Sequence, residues 1–227
     1  MEIKKLLLLL QVNDAAFPIG SYTHSYGLET YIQQGVVYNA ACADNYIRHN
    51  LKASFLYTDL LSASLAYETA LAGSMDGLAE LEELLFVSRS PSELREASVK
   101  LGARFVKTAL RINDCGGIFA AYAAQMGKRV SHCVAYGVFC ASYQIGKQEA
   151  MAAYIYAQAA AMVMNCVKTI PLSQTDGQVI LSGLHAFFAE LLEALNALDR
   201  DDLCRNAPGL DIASMQHEGL YSRLYIS

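Results

Sequence analysis

The sequence predicts an all-α fold, a single-domain bundle of roughly eight to ten helices. Apolar residues recur three and four positions apart along most of the chain, whereas the strict alternation of a strand is almost absent. Hydrophobic residues make up 54% of the 227 residues and charged residues only 17%, so much of the apolar surface must be buried. Residues 131–145 and 148–167 are apolar on nearly every side, as helices in the middle of a bundle are.

Capping residues and glycines mark where the first long helices are expected to begin and end. Asp44 is predicted to cap a long helix that Gly73 terminates. A second start is predicted at Ser90, because Pro91 suits the first helical position and Glu93 stands where a capping box needs it. Both signals fit a chain in which one helix follows another.

The end of the chain is predicted to hold one long helix and a docking tail. Pro171 interrupts an apolar helix, and the final long helix is expected over residues 179–198. Residues 206–227 are interpreted as a C-terminal tail with several apolar side chains, and a chain end of this kind is expected to dock. No linker or repeat separates the tail from the rest, so residues 1–227 are expected to form one domain.

Composition and charge argue against several classes of function. The net charge is −5 and no run of Lys or Arg occurs, so no nucleic-acid partner is expected. The apolar block 6–10 is short and polar residues follow it, which favours a first helix over a signal peptide. The apolar stretch 150–164 is shorter than the ~18–20 residues of a span, so no membrane partner is expected. Six cysteines without a CxxC pair are typical of reduced thiols in a cytoplasmic protein.

The segment FPIGSYTHSYGLE, residues 17–29, is the most polar interruption between apolar helices. It lacks a nucleophile elbow, because Thr23 stands where the first glycine is required, and it lacks a phosphate loop, because no lysine follows Gly27. His24 has no second ligand at a metal-binding spacing. The glutamates, Glu82 among them, are interpreted as ordinary helix-face carboxylates, so neither an enzyme nor a cofactor is expected.

Two further polar segments accompany the first, KTIPLSQTDGQ at residues 168–178 and MQHEGLYSRLYIS at residues 215–227. In this order the three segments resemble the signature regions of the urease accessory protein UreF family. The resemblance covers essentially the whole chain. Its departures are modest, since Tyr22 and Tyr225 stand where family members often have phenylalanine.

The resemblance implies an all-α, non-enzymatic accessory protein for assembly of the nickel site of urease. UreF-like proteins form homodimers and join the accessory protein UreD, also called UreH, and the GTPase UreG. That complex is a GTP-hydrolysis-dependent chaperone that places nickel in the urease apoprotein. The residues that the resemblance marks for partner binding are Pro18, Gly20, Ser21, Tyr22, Ser25, Gly27, Glu29, Lys168, Pro171, Leu172, Gln174, Gln178, His217, Ser222, Arg223 and Leu224.

Two alternatives stay open at the level of the sequence. The chain could be an all-α enzyme with an unrecognised site around His24 and Glu29, in which case a concave pocket and a histidine of shifted pKa are expected there. It could also ligate nickel itself, through His24 or His217. A packed His24 would count against the enzyme.

Overall fold

The computed structural model describes residues 2–20, 24–112, 117–205 and 207–226, and within these ranges it contains helices and no strand. The α-helices are α1 (Ile3–Asn13), α2 (Leu28–Gln33), α3 (Ala40–Asn50), α4 (Leu61–Leu71), α5 (Met75–Ser88), α6 (Ser92–Ile112), α7 (Gly117–Met126), α8 (His132–Ser142), α9 (Lys147–Thr169), α10 (Gln174–Gly183), α11 (His185–Leu195) and α12 (Pro208–His217). A 3₁₀ turn covers Arg200–Asp202.

A π-helical segment, Leu51–Leu60, joins α3 to α4 without a break. The three pieces form one continuous rod over residues 40–71. Counted with this rod as one, the described residues form 11 separate helices, slightly more than the sequence predicted. The all-helical prediction is confirmed.

The rod begins five residues earlier than predicted, because Asn39 and not Asp44 caps it. The Asn39 side chain accepts a hydrogen bond from the Cys42 amide at 2.9 Å, as an N-cap residue does. Asp44, the predicted cap, lies inside the helix and pairs with Arg48 at 2.8 Å. The predicted end is correct, since Gly73 follows α4 with a left-handed φ of 71°.

The predicted last helix over residues 179–198 is wrong in its bounds and its continuity. Helix α10 begins at Gln174, because Ser173 and Asp176 form a capping box in which each side chain meets the other's backbone amide. Helix α11 starts after Leu184, and the two helix axes meet at 42°. The Ser-x-x-Asp signal was present in the sequence directly after the proline turn.

Helix α8 lies at the centre of the core, as its apolar sequence predicted. Every residue from Cys133 to Ala141 is buried, and the helix packs most closely against α4. Gly137 makes this approach possible, since a Cβ atom there would lie 2.2 Å from the carbonyl oxygen of Ala63. The buried apolar side chains form a connected cluster that draws on helices from α1 to α12.

Helix α9 is long and apolar enough to cross a membrane when judged by length and composition alone. Helices α10 and α11 are long and apolar enough to cross a membrane only when the bent pair is counted as one span. Half of the most apolar stretch of α9 is buried inside the fold, as is typical of a core helix. These helices are therefore weak evidence for a membrane span.

Candidate functional site

The first and last of the three polar segments meet at a buried histidine. His217, at the end of α12, is fully buried, and its Nε2 atom lies 2.9 Å from Oε2 of Glu29 in the first turn of α2. Its Nδ1 atom lies 2.8 Å from Oε2 of Glu93 in the first turn of α6. Each ring nitrogen of His217 therefore lies within hydrogen-bond distance of a different carboxylate, inside the fold.

The tail that follows α12 is bound by the same two carboxylates. Glu29 accepts hydrogen bonds from the backbone amides of Leu224 at 2.7 Å and Tyr225 at 3.0 Å. The guanidinium of Arg223 donates to Oε1 of Glu93 at 2.8 Å. We call Glu29, Glu93, His217 and Arg223 the tail clamp. Its charge-assisted bonds hold the C-terminal segment against α2 and α6.

The loop before α2 sets the direction from which Glu29 reaches the tail. Tyr26 and Gly27 both have left-handed backbones, with φ of 54° and 83°. A Cβ atom on Gly27 would lie 3.2 Å from the Ala213 side chain and the Ser214 amide, so α12 passes close to this turn. The Thr30 hydroxyl, one helical position after Glu29, donates to the Ala213 carbonyl at 2.7 Å.

The end of α9, just before the second polar segment, joins the other two. Asn165 is buried, and its side-chain amide donates to the His24 carbonyl at 2.8 Å. The Tyr225 hydroxyl donates to the Asn165 carbonyl at 3.4 Å. The three segments, far apart in the sequence, are therefore connected in space through one polar residue of a core helix.

His24 is a packed side chain of this loop rather than an accessible acid or base. It is 4% exposed, and burial, together with the charges of Lys100 and Arg104, lowers its pKa to about 4. Glu29, its proposed catalytic neighbour, is occupied by the tail. Within the described ranges no group of three or more His, Cys, Asp or Glu side chains is placed to hold a metal ion, and both ring nitrogens of His217 face carboxylates.

A family model described as UreF matches residues 37–185. The chain belongs to the UreF family. Proteins named urease accessory protein UreF are similar along nearly its whole length. The relative from Bacillus sp. (strain TB-90) is 32% identical, covering 99% of this chain and 100% of its own. The relative from Actinobacillus pleuropneumoniae serotype 5b (strain L20) is 36% identical, and the match covers 96% of this chain and 97% of the relative. The relative from Haemophilus influenzae (strain Rd) is also 36% identical, and the match covers 96% of this chain and 94% of the relative.

Membership of the UreF family decides between the classes of function that the sequence left open. The relatives are accessory proteins and not enzymes, so this chain is not an enzyme. The packed His24 agrees with that conclusion, and the enzyme alternative is set aside.

The residues that the UreF resemblance marked divide into an exposed and a less exposed group. Those on the surface are Pro18, Lys168, Pro171, Gln174, Gln178, Ser222, Arg223 and Leu224. Those buried or half-buried are Gly20, Ser25, Gly27, Glu29, Leu172 and His217. Ser21 and Tyr22 lie outside the described residues. The buried members shape the loop and the tail, whereas the exposed members are accessible to another protein.

Two residues that hold the polar segments together, Glu93 and Asn165, were not predicted. Glu93 was expected to close a capping box at Ser90, but its Oε2 atom faces His217 and its Oε1 atom accepts a hydrogen bond from Arg223. No local signal reveals this role, because the interacting residues are more than a hundred positions away. Asn165 did carry a signal, since it is a polar side chain in an apolar helix.

The prediction that Glu82 is an ordinary helix-face carboxylate is wrong. It is buried, and it accepts hydrogen bonds from the Ser131 amide, at 2.8 Å to Oε2, and from the Tyr122 hydroxyl. Burial raises its pKa to about 7, although these donors oppose the shift. Its position before the first turn of α8 explains the amide bond, because the first amides of a helix lack partners within the helix.

Proposed function

We propose that this chain serves urease maturation as a subunit of a GTP-hydrolysis-dependent chaperone complex that assists nickel incorporation into the urease metallocentre. Its partners are a UreD/UreH-type accessory protein, a UreG-type GTPase and the urease apoprotein. It acts in the cytoplasm as a homodimer, without nucleic acid or membrane. The observation that carries the proposal is the similarity, over nearly the full length, to proteins named urease accessory protein UreF.

The tail clamp supports this proposal by presenting an apolar surface to a partner. Tyr225 is buried beside the clamp, whereas its neighbours Leu224 and Ile226 are exposed, and Tyr221 is fully exposed. Met215 of α12 is exposed as well. Large apolar side chains that face solvent together are typical of protein–protein contacts. We assign this surface to the UreD/UreH-type partner.

Urease activation in a reconstituted system tests the proposal. Urease subunits are co-expressed with the three accessory proteins in nickel-containing medium, with and without this chain. We expect nickel-dependent urease activity and bound nickel to be lost when this chain is omitted, while the amount of urease protein stays the same. Equal activation in its absence would remove the basis of the proposal.

A further inference from the structure

A wide groove lies along the rod on the side of α2, α11 and the start of α12. Its volume is about 1010 Å³, and side chains of α2, α3, the π-helical segment, α11 and α12 line it. None of the four clamp residues belongs to its lining. We call it the rod groove.

Aromatic rings form the floor of the rod groove, and their hydroxyl groups are used inside the fold. The Tyr46 hydroxyl donates to the Tyr26 carbonyl at 3.1 Å, and the Tyr31 hydroxyl donates to the Gly209 carbonyl at 3.0 Å. The two tyrosine rings meet edge to face, with centroids 5.9 Å apart. The floor is therefore preformed, and it offers mainly ring carbon to an occupant.

The rod contributes one continuous stripe of side chains to the groove. Cys42, Tyr46, His49, Ala53 and Tyr57 line it at spacings of three or four residues, so they lie on one side of the rod. At about 1.5 Å of rise per residue the stripe is roughly 20 Å long. This length and apolar character suit an α-helix lying alongside the rod, a common mode of peptide recognition. Three residues of the lining come from the π-helical segment, a feature often found at functional sites.

The ionisable side chains that line the groove are basic ones. Among the described residues that line the groove, Arg48, His49 and Lys52 are basic and none carries a carboxylate, although the whole chain has a net charge of −5. Arg48 is paired with Asp44 and lies over the Phe187 ring at 5.2 Å. Lys52 is exposed, and no ion pair engages it among the described residues. Lys52 therefore leaves one positive charge at the rim that no ion pair among the described residues engages, and this charge attracts a carboxylate.

We propose that the rod groove docks an amphipathic helix with an acidic flank, carried by another protein. Its apolar face covers the tyrosine floor, and one of its carboxylates meets Lys52. A second copy of this chain is a poor occupant, because a two-fold contact through the groove sets the basic rim of one copy against that of the other. Charge thus selects the partner, and the aromatic floor supplies the apolar contact.

Fluorescence anisotropy with two designed peptides tests the charge selection. The first is a helix of about 18 residues with leucines on one face and glutamates on its flanks, and its twin carries lysine in place of each glutamate. We expect the purified protein to bind the acidic peptide at least about tenfold more tightly than the twin. Equal affinities, or no saturable binding of either peptide, would refute the proposal.

Three variants locate the binding. Ala53→Arg fills the groove and is expected to weaken acidic-peptide binding by about tenfold or more. Lys52→Glu is expected to reduce the preference for the acidic peptide, whereas Lys107→Glu, an exposed change on α6 outside the groove lining, leaves it unchanged. Circular dichroism confirms that each variant is folded.

The proposal fails if Ala53→Arg binds the acidic peptide like the unmodified protein. It also fails if sedimentation shows that this variant disrupts self-association of the protein while peptide binding persists, since the groove then holds a second copy. No other accessory protein takes part in these measurements, so their outcome is independent of the urease activation assay.

Discussion

Glu29 is the residue through which the loop before α2 and the C-terminal tail stabilise each other. Its carboxylate receives the His217 ring and two backbone amides while it is almost entirely buried. A carboxyl group in such surroundings is tolerated only when hydrogen-bond partners surround it, because loss of hydration is costly. Removing the tail leaves Glu29 with His217 but without the two backbone amides, and removing Glu29 leaves those amides and the Nε2 atom of His217 without this partner.

Replacing Glu29 by glutamine tests this dependence. Glu29→Gln keeps the shape but removes the charge, so we expect the free energy of unfolding to fall by about 2–3 kcal/mol. Urea denaturation measures the fall, and hydrogen exchange of residues 218–226 is expected to speed up. The matched control is Glu96→Gln, which breaks an exposed pair with Lys100 on α6 and is expected to change stability by less than about 0.5 kcal/mol. Equal effects of the two substitutions would show that the clamp contributes nothing.

At the scale of helices, the sequence was informative where a helix is buried on all sides. Helix α8 could be predicted from its uninterrupted apolar run. Helix α2 was missed because six residues do not form a stable helix on their own, so its formation depends on contacts with α12 and the tail. Helix α12 was missed for a related reason, although Pro208 at its first turn was a start signal. The clamp could not be predicted, because Glu93 and His217 are 124 positions apart and no local pattern links them.

Truncation of the tail tests the element that follows α12. A chain ending at Leu220 loses the exposed apolar side chains and the backbone amides that bind Glu29. We expect weaker binding to the UreD/UreH-type partner in isothermal titration calorimetry, with the helical circular dichroism signal retained because α12 ends at His217.

A second variant separates partner contact from tail docking. The double substitution Tyr221→Asp and Leu224→Asp keeps every clamp bond but changes the exposed apolar surface. We expect it to weaken partner binding as strongly as truncation does, whereas Val179→Asp, an exposed change on α10, has no effect. Normal binding by the double variant would mean that the tail has only a structural role.

For the molecule as a whole, three buried groups tie stability to pH in opposite directions. Burial lowers the pKa of both His24 and His132 to about 4, so between pH 4 and 6.5 the unfolded chain binds more protons at these sites. As the pH drops through that range, each histidine lowers the free energy of unfolding by up to about 1.4 kcal/mol per pH unit. Glu82 has a raised pKa of about 7, so the folded chain binds the extra proton between pH 4.5 and 7, and its contribution is lost as the pH rises.

Replacing Glu82 by glutamine is expected to remove the loss of stability that its ionisation causes at high pH. Glu82→Gln should gain stability relative to the unmodified protein between pH 5 and pH 8, by up to about 3 kcal/mol. Urea denaturation at several pH values measures the difference. Glu83→Gln is the control, because this neighbouring side chain is exposed. A difference that stays constant with pH, or that matches the control, would show that Glu82 ionises in the folded protein as it does in the unfolded chain.

The π-helical segment also constrains how the length of this chain can change. Each residue of an α-helix turns the chain by about 100°, so inserting or deleting one residue within Leu51–Leu60 would rotate α4 relative to α3 by about that angle. Ala63, which meets Gly137 of α8, would then leave the core while the rod groove kept its α3 side. Insertions and deletions that loops tolerate are therefore expected to be selected against in this segment.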